Sequence, residues 1–537
     1  MIEFIMKKQI LSLCIYFSLA LFAPTIEADE HEHSGICIKC GTPQIMESIL
    51  LGTAKIARRS EMDAWAVSTH FRVHYDTTGF HAPDMTDKDG NVIPDYVDST
   101  LVFLEYAWDL AVNQLGYIEP LNDDGKGGGD EIDVYLKDLN NVYGQTWPET
   151  SMGSFTSSYI EIDNDFSENI YHTNGYDALR VTTAHEFFHT IHFSSYYDIC
   201  MGLTWWMEQT AVWMEDRAWD DVNDYLAYLN YFFNNKETPL TTSNGKFEYG
   251  AAIWAMYLAE RFGDDIIRDL WEHVSKLKKA DIAIFDDIIP IGLPSALGEF
   301  AVWNYFTKGP TVDRANPIDF YSDSNLFKQS VNTDSSVSKS PAHYLLSTKH
   351  LTSRYVELLF VGDWGENDAL RVNIIPLDGG SYVNSLIFYN EPFDYRIHIV
   401  DPSGEDIPLE RTWKNAILVT SCTNTIYANT KDFTYKYTFD AEILENYEEH
   451  YAFSVKGTYP NPFNSSTTIS FVLPESGNVS IQAFNALGQR VENIFIGRLE
   501  PGKKEILWKP SNLSSGVYLV KMNTPWGTKI FKTLYLK

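Results

Sequence analysis

The chain is poor in basic residues, in cysteine and in long apolar runs. It has 41 lysines and arginines against 73 aspartates and glutamates, for a formal net charge of −32. Nucleic-acid binding needs clustered Lys and Arg, so this balance argues against that class of function and fits a soluble extracellular surface. An aromatic content of 14% argues equally against a disordered acidic polymer. At 537 residues the chain has room for roughly three or four domains.

Apolar sequence of membrane character is confined to the start of the chain. Lys7 and Lys8 precede the mostly apolar run Gln9–Ala23, which is too short to span a bilayer comfortably. Residues 1–28 are therefore interpreted as a signal peptide, with a retained membrane anchor as the alternative. No later run has the about 18 uninterrupted apolar residues of a transmembrane helix. The polar residues 29–65 are predicted to be a propeptide or linker.

Five cysteines are present, and one of them, Cys14, lies in the predicted signal peptide. Cys37 and Cys40 form a single CIKC motif with no second CxxC, which argues against a zinc ribbon. A local disulfide is the default interpretation in an exported chain. The surrounding IKCGTPQ also resembles the PRCGxPD cysteine switch of matrixin propeptides, in which a thiolate caps the zinc, although the Arg and final Asp of that motif are absent. Cys200 and Cys422 are far apart in sequence and cannot be paired from it.

The stretch Val181–Asp216 contains HEFFH, in which His185 and His189 are four residues apart and Glu186 follows the first. On a helix, residues four apart lie on the same face, so the two imidazoles can bind one metal ion while the glutamate handles water. Apolar neighbours without Gly or Pro predict a buried helix at this point. A chance HExxH on an ordinary core helix is the alternative interpretation.

A catalytic zinc site takes three protein ligands and keeps one position open, so a third ligand is required. The metzincin continuation HExxHxxGxxH is excluded, because no glycine follows His189 at that spacing. Glu208 comes after eighteen intervening residues and shares a predicted helix face with Ala211, Val212 and Glu215. HExxH, eighteen residues and then Glu resembles the gluzincin zinc peptidases. The aminopeptidase branch matches best, and HEFFH…WWMEQTAVWMED also resembles a set of secreted bacterial metalloproteases.

The resemblance implies metal-assisted hydrolysis of a peptide bond. His185, His189 and Glu208 would hold one zinc ion, and Glu186 would act as the general base and later protonate the leaving amine. Tyr249 is the candidate for the tyrosine that stabilises the oxyanion in aminopeptidase-type gluzincins, with a plain packing role as the alternative.

Further roles follow from the same resemblance. Glu215 or Asp216 would orient a ligand histidine, since a metal-bound imidazole usually donates its other N–H to an oxygen. Gluzincins pair the substrate backbone with an edge strand just upstream of the metal helix, and Tyr159–Ile162 is the candidate strand. His192 lies one turn past His189 and could reach the site, although a packed or exposed histidine is the favoured interpretation. The G-x-M-E-N signature that binds the substrate's amino end is absent from the chain, which favours an endopeptidase.

The stretch DMTDKDGNVIPDYVD places oxygen donors at alternate positions around a glycine. Asp87, Asp89, Asn91 and Asp95 match the short DxDxNxxxD type of calcium loop more closely than an EF-hand, whose length and closing Glu are missing. A calcium ion, as a second cofactor, and a simple solvated acidic turn are both compatible with this pattern.

The last part of the chain has a different character. From residue 319, short β-rich runs separated by Gly, Pro, Asn and Asp turns predict a β-sandwich with no visible chemistry. The final 80 residues, with TYPNPFNSSTTISFVLPESGNVSIQAFNALGQRV, SSGVYLVKM and KTLYLK, closely resemble the C-terminal sorting domain of type IX secretion. That resemblance implies export across the outer membrane by the type IX machinery and a protein that is secreted or attached to the cell surface.

The predicted fold class is an α+β zincin-like metallopeptidase domain followed by all-β sandwich domains. The predicted function is a secreted zinc-dependent metalloendopeptidase acting on extracellular proteins. The alternatives are a surface adhesion or binding protein on an inactive peptidase scaffold, and a zinc hydrolase of a non-peptide bond. The intact Glu186 argues against the inactive scaffold, which would be free to lose its base. The predicted order is signal peptide 1–28, propeptide or linker 29–65, zinc metallopeptidase domain 66–315, β-sandwich domain 316–450 and sorting domain 451–537.

Overall fold

The fold is that of a computed structural model. The described residues are 37–53, 62–150, 153–167, 170–307, 320–323, 326–328, 331–337, 340–359, 368–390, 395–409, 411, 413, 415–425, 434–445, 453–510 and 513–536. The predicted signal peptide, with Cys14, lies outside them, as do the predicted boundaries at 315/316 and 450/451.

The helices of the described residues belong mainly to the first 305 positions. They are α1 (Thr42–Leu50), α2 (Asp95–Trp108), α3 (Gly175–Cys200), α4 (Thr204–Ala218), α5 (Leu229–Phe233), α6 (Phe247–Gly250), α7 (Ile253–Phe262), α8 (Asp265–Leu277) and α9 (Leu293–Tyr305). A π-helix, Asp109–Gln114, continues α2, and short 3-10 helices occur at Lys126–Gly128, Asp224–Ala227 and Ile282–Asp287. Among these helices, none combines the length and the apolar character needed to cross a membrane.

The strands fall into two groups along the chain. The first group is β1 (Ile38–Cys40), β2 (Ala64–Val67), β3 (Phe71–Tyr75), β4 (Ile132–Leu136), β5 (Val142–Pro148) and β6 (Ser158–Ile162). The second group is β7 (Ser335–Val337), β8 (Ala342–Thr348), β9 (Ser353–Leu359), β10 (Ala369–Pro376), β11 (Tyr382–Tyr389), β12 (Tyr395–Val400), β13 (Glu405–Pro408), β14 (Asn415–Cys422), β15 (Tyr435–Leu444), β16 (Ser454–Tyr459), β17 (Thr467–Leu473), β18 (Gly477–Phe484), β19 (Arg490–Leu499), β20 (Gly502–Trp508), β21 (Gly516–Thr524) and β22 (Gly527–Tyr535).

The described residues form two compact units. Unit 1 takes in those within Met1–Ala296, Trp303–Gly309 and Asn316–Val331, and unit 2 those within Leu297–Val302, Pro310–Ala315 and Asn332–Lys537.

Unit 1 is built on a six-stranded mixed sheet in the order β1-β5-β6-β4-β3-β2. β4 runs parallel to both β3 and β6, and β5 is antiparallel to β6. Every residue of β3, β4 and β6 is buried, as expected for central strands of a sheet that is covered on both faces. α3 packs against β5 and β6, and α4 packs against α3. This stacking places the HEFFH helix directly against the β1–β5 end of the sheet.

The strand predicted to lie at the sheet edge is in fact internal. β6 contains the predicted Tyr159–Ile162 but is flanked by β4 and β5, so both of its backbone edges are already hydrogen-bonded. The prediction was wrong because β5 folds back antiparallel on β6 and takes the free position. The next position outward belongs to β1, which pairs in parallel with β5 and sets Cys40 opposite Gly144.

Residues 37–53, called the N-terminal segment below, fold onto this sheet edge. After β1 the chain enters α1 at once, with Pro43 in the first turn, where its missing N–H costs nothing. α1 buries Ile45 and Met46. The predicted boundary at 65/66 falls inside β2, so unit 1 extends across it and includes two ordered elements of the predicted propeptide or linker.

Unit 2 consists of sheets with shared hydrophobic cores. A four-stranded sheet, β13-β10-β15-β8, and a five-stranded sheet, β12-β11-β14-β9-β7, contribute side chains to one core. A three-stranded sheet, β16-β17-β20, and a four-stranded sheet, β19-β18-β21-β22, share a second core. β17 buries every other residue, from Thr467 to Leu473, which is the period-two pattern of a strand with one face inward.

Candidate functional site

α3 carries the HEFFH motif through the interior of unit 1. Every residue from Val181 to Ser194 is buried. His185 and His189 project from one face of the helix, with ring centroids 4.7 Å apart and ring planes nearly perpendicular. The structure therefore presents the two imidazoles side by side, as the four-residue spacing predicts.

α4 brings Glu208 to these imidazoles. Its carboxylate is fully buried, with Oε2 3.4 Å from His185 Nε2 and Oε1 3.3 Å from His189 Nε2. Burial raises the pKa of Glu208, against the opposing effect of His185. The predicted third ligand thus lies at a distance from both histidines that a single metal ion can bridge.

A fourth donor atom comes from β1, far away in sequence. The fully buried Cys40 has its Sγ 3.4 Å from His189 Nε2. Donor atoms of Cys40, His185, His189 and Glu208 all lie within 4.8 Å of one another, and we call these four residues the donor cluster. Thiolate, imidazole and carboxylate are the ligand types that zinc takes in proteins. Cys37 and Cys40 are both free thiols, so the default expectation of a local disulfide was wrong.

Three polar atoms of the donor cluster fit a bound cation. His185 Nε2 and both carboxylate oxygens of Glu208 are buried without a hydrogen bond. Buried polar atoms are almost always hydrogen-bonded, and exceptions in a native fold indicate a bound ion or water. A metal ion at the donor cluster would satisfy all three atoms at once, so the residues fit the group.

Glu215 orients the first histidine. Its Oε1 lies 2.6 Å from Nδ1 of His185, and both side chains are buried. With Nδ1–H donating to this carboxylate, the lone pair of His185 Nε2 is left for the donor cluster. Of the two residues predicted for this role, Glu215 fills it and Asp216 does not.

His192 is packed in the interior and orients the second histidine, which its position one turn past His189 allows. Its Nδ1 lies 3.3 Å from His189 Nδ1, and its Nε2 lies 3.3 Å from the hydroxyl of Thr210, which donates to the carbonyl of Trp206. Burial lowers the pKa of His185, His189 and His192, and that of His189 falls to about 4. The three rings are therefore neutral near pH 7. With neutral rings, His189 Nδ1–H donates to His192 Nδ1, and His192 Nε2–H donates to the Thr210 hydroxyl. This arrangement leaves the lone pair of His189 Nε2 for a metal.

Glu186 lies beside the donor cluster and not in it. Its Oε1 is buried without a partner, while Oε2 lies 2.7 Å from the Thr146 hydroxyl and 3.3 Å from that of Thr42. A Cβ on Gly144 would come within 2.8 Å of Glu186 Cγ, so β5 passes this carboxylate at a distance that only glycine allows. One oxygen of Glu186 is thus held in place and the other is free to react.

Tyr249 of α6 reaches the same site. Its hydroxyl donates to the carbonyl of Cys40 at 3.5 Å. Burial raises the pKa of Tyr249 far above its ordinary value, and the nearby Glu208 adds to the shift, so the phenol stays protonated and remains a donor. The structure therefore places the predicted oxyanion tyrosine against a peptide carbonyl next to the donor cluster.

A buried ion-pair network backs the cluster. Lys39 of β1 donates to Glu215 Oε2 at 2.8 Å and to Asp224 Oδ2, and all three side chains are at most 3% exposed. Burial alone would raise the pKa of Asp224, but Lys39 outweighs it and holds that pKa low. Burial raises the pKa of Glu215 as well, and Lys39 opposes that rise. Lys39 therefore offsets much of the cost of burying two carboxylates behind the site.

Asp216 lies away from the histidines, in a partly exposed acidic group. Its carboxylate is within 4.8 Å of those of Asp220 and Asp323. Burial, followed by repulsion from Asp323 and Asp220, raises the pKa of Asp216 to about 8. The predicted orienting role was wrong for this residue because Asp216 lies on a different side of α4 from Glu215.

Asp216→Asn should change how stability depends on pH. Because the folded pKa of about 8 exceeds the ordinary value of 3.8, the folded state favours the protonated form. The stabilisation of the folded state that results is complete below about pH 4 and is lost as the pH rises through 8. Asparagine does not ionise, so the variant does not lose this stabilisation. We expect its free energy of unfolding, relative to that of the wild type, to rise by at least about 1 kcal/mol between pH 5 and pH 8, measured by urea unfolding. The control is Asp265→Asn, which replaces an exposed aspartate on α8 and should keep the pH dependence of the wild type. An unfolding free energy of Asp216→Asn that runs parallel to that of the wild type across this pH range would contradict the prediction.

The four candidate calcium ligands accept hydrogen bonds from backbone amides of their own loop. Asp87 accepts the amides of Gly90 and Val92, while Asp89 and Asn91 each accept an amide two residues on. Asp95 accepts the amide of Lys88. The carboxylates of Asp87, Asp89 and Asp95 are not among the described groups of three that converge within 4.8 Å, and calcium at this loop stays a prediction.

Several residues of the site carried no usable signal in the sequence. Lys39 and Asp224 each look like an ordinary surface charge, and Thr146 looks like any strand threonine. Cys40 was indicated only by the partial IKCGTPQ resemblance. His192 was indicated by its position one turn past His189, although its role was not.

Comparison with known families identifies the end of the chain. Residues 457–536 match the Secretion system C-terminal sorting domain. The C-terminal region is a secretion sorting domain. The protein is therefore secreted by the type IX system to the cell surface or the extracellular space, and it interacts with the machinery of that system.

Unit 1 matches a family without an assigned activity. Residues 53–291 correspond to the Family of unknown function (DUF6055). The matched region includes α3, α4 and α6 with their candidate site residues, and it begins at the end of the N-terminal segment. No curated protein matches the chain.

Two solved structures show only distant similarity. The apo structure of Bacteroides uniformis β-glucuronidase 3 is 11% identical, with 37% of this chain and 28% of that chain covered at a TM-score of 0.13. Faecalibacterium prausnitzii β-glucuronidase is 9% identical, with 36% and 38% covered, also at 0.13. The chain spans well under half the length of either enzyme, and a TM-score this low supports no argument about fold or function.

Proposed function

We propose that the protein is a secreted zinc-dependent endopeptidase and that unit 1 has a zincin-like fold. The observation that carries the proposal is the convergence of buried donor atoms without hydrogen bonds, on His185 and Glu208, next to a carboxylate with one free oxygen, Glu186. Zinc would be held by His185, His189 and Glu208. The gluzincin-like spacing of these residues in the sequence supports the same conclusion.

The chain's own residues supply the acid–base chemistry. Zinc, when bound, contributes Lewis acidity towards water and a carbonyl oxygen. Glu186 Oε1 accepts the proton of the attacking water and returns it to the leaving amine, while Thr146 fixes Oε2. Tyr249 donates a hydrogen bond to the carbonyl oxygen as negative charge develops there. Glu215 and His192 hold the two imidazoles in the required tautomers.

The substrate class follows from what already lies across the site. β1 is an extended stretch of polypeptide that is hydrogen-bonded to β5, with its Cys40 carbonyl at Tyr249. A surface that accepts extended backbone by strand addition suits a peptide substrate. The missing G-x-M-E-N signature favours internal cleavage over release of terminal residues.

Zinc content and casein hydrolysis test this proposal. They are measured on the full secreted chain and, since Cys40 lies at the donor cluster, on Cys40→Ala as well. We expect one zinc ion per chain in both, and hydrolysis by Cys40→Ala that a chelator abolishes and added zinc restores. His189→Ala is the matched variant that lacks one ligand and should lose both properties. A chain that binds no zinc, or a zinc-loaded Cys40→Ala chain that cleaves no peptide, would overturn the proposal.

A further inference from the structure

We propose that the N-terminal segment (residues 37–53) keeps the site latent, with Cys40 as a fourth ligand of the metal. This inference rests on the function proposed above, and it concerns the regulation of the same site. Four independent contacts of the segment carry it.

The first contact is at the donor cluster. A catalytic zinc site keeps one position open, whereas a site with four protein ligands is closed. Cys40 Sγ lies 3.4 Å from His189 Nε2 and within 4.8 Å of the donor atoms of His185 and Glu208. On binding the metal, the Cys40 thiol releases its proton to water. The thiolate then occupies the position that the reaction requires.

The second and third contacts are at the two groups that carry the acid–base chemistry. The Thr42 hydroxyl accepts the amide of Thr146 at 2.8 Å and lies 3.3 Å from Glu186 Oε2. The Cys40 carbonyl accepts the Tyr249 hydroxyl. The base and the oxyanion donor therefore both face residues of the segment. Glu186 is 0% exposed and Tyr249 is 1% exposed, so solvent does not reach either of them in this state.

The fourth contact is at the residue that orients His185. Lys39 donates to Oε2 of Glu215, and the other carboxylate oxygen of Glu215 accepts a hydrogen bond from His185. The same ammonium group contacts Asp224. The segment thus supplies the ammonium group that contacts both buried carboxylates, and this ties its docking to the geometry of a metal ligand.

The backbone of the segment occupies the place of a substrate strand. Ile38 N–H donates to Asn141 at 2.8 Å and Gly41 N–H donates to Gly144 at 2.9 Å. A Cβ on Gly41 would come within 2.9 Å of Gln145 Cβ, so the segment lies tightly against β5. The free edge of β5 becomes available for strand addition only when these hydrogen bonds break. The region matched by the family of unknown function starts at residue 53, the last residue of the segment.

Cobalt substitution tests the ligand directly and does not depend on activity. The full secreted chain is loaded with Co²⁺ and its absorption spectrum is recorded for wild type, Cys40→Ala and Cys37→Ala. We expect a thiolate-to-cobalt charge-transfer band in wild type and in Cys37→Ala, and no such band in Cys40→Ala. Cys37, three residues away in the same segment, is the matched control. Cys40→Ser serves as a second variant of nearly unchanged size.

Casein hydrolysis by the zinc-loaded chains tests latency. We expect Cys40→Ala and Cys40→Ser to exceed wild type by at least about tenfold, with Cys37→Ala equal to wild type. Absence of the cobalt band in wild type would overturn the inference. Equal hydrolysis by all chains would also overturn it, while leaving the peptidase proposal intact. A band in wild type together with no hydrolysis by any zinc-loaded variant would overturn both latency and the peptidase proposal, and would mark a structural four-ligand site.

Discussion

Replacing Glu186 by glutamine in the Cys40→Ala chain should lower the rate of casein hydrolysis by about 10²- to 10⁴-fold and leave zinc content unchanged. Glutamine has nearly the same shape, and its amide can keep a contact with the Thr146 hydroxyl that lies 2.7 Å from Glu186 Oε2. It cannot accept a proton from water. Glu186 is also outside the donor cluster, so its charge is not needed to hold the metal.

The control for this comparison is Glu272→Gln in the same Cys40→Ala chain. Glu272 is an exposed glutamate on α8 and should leave both hydrolysis and zinc content unchanged. The expected loss for Glu186→Gln is in kcat, since the residue acts on the proton and not on substrate binding. Hydrolysis within tenfold of the parent chain would contradict the role of Glu186 as base. A loss of zinc would show instead that Glu186 is needed to build the site.

Lys39→Met should weaken the docking of the N-terminal segment by about 3–5 kcal/mol. Lys39 is 2% exposed, and its ammonium group contacts two buried carboxylates, Glu215 and Asp224. Methionine fills a similar volume but leaves both carboxylates buried without a positive partner. Breaking a buried ion pair from one side is strongly destabilising for this reason.

Native-state hydrogen exchange measures the effect where it arises. The amides of Ile38 and Gly41 donate to the carbonyls of Asn141 and Gly144 and exchange only when the segment opens. We expect them to exchange roughly 100-fold faster or more in Lys39→Met, as about 1.4 kcal/mol corresponds to a factor of ten. Lys126→Met is the matched control, because Lys126 also lies 2.8 Å from a carboxylate, that of Glu149, but is 52% exposed. It should change stability by less than about 1 kcal/mol, and equal effects of the two variants would contradict the role of burial.

The local elements of the fold could be predicted because they depend on neighbours in sequence. The predicted helix around HEFFH is the central part of α3. Strands separated by turns follow residue 319, as the β-rich runs of the sequence predict. Side-chain alternation and helical spacing are set by the backbone geometry of a few consecutive residues, so a single sequence is enough to reveal them.

Part of the site could be predicted for the same reason. His185, Glu186 and His189 share one helix, and Glu208 and Glu215 lie seven residues apart on the next, so each set is fixed by helical geometry. The choice between Glu215 and Asp216 could not be made in this way. It depends on which side of α4 faces α3, and only the packing of the two helices decides that.

What the sequence by itself determined was the HExxH helix, the third candidate ligand after eighteen intervening residues, and the type IX sorting domain at the end of the chain. Only the tertiary structure decided that β6 is internal, that β1 forms the edge, and that Cys40 meets His189 across 149 positions. Lys39 meets Glu215 across 176 positions. Strand order and burial arise from competition among distant segments for the same backbone edges and the same interior. No local pattern in a sequence shows which segment occupies a given strand edge or interior position.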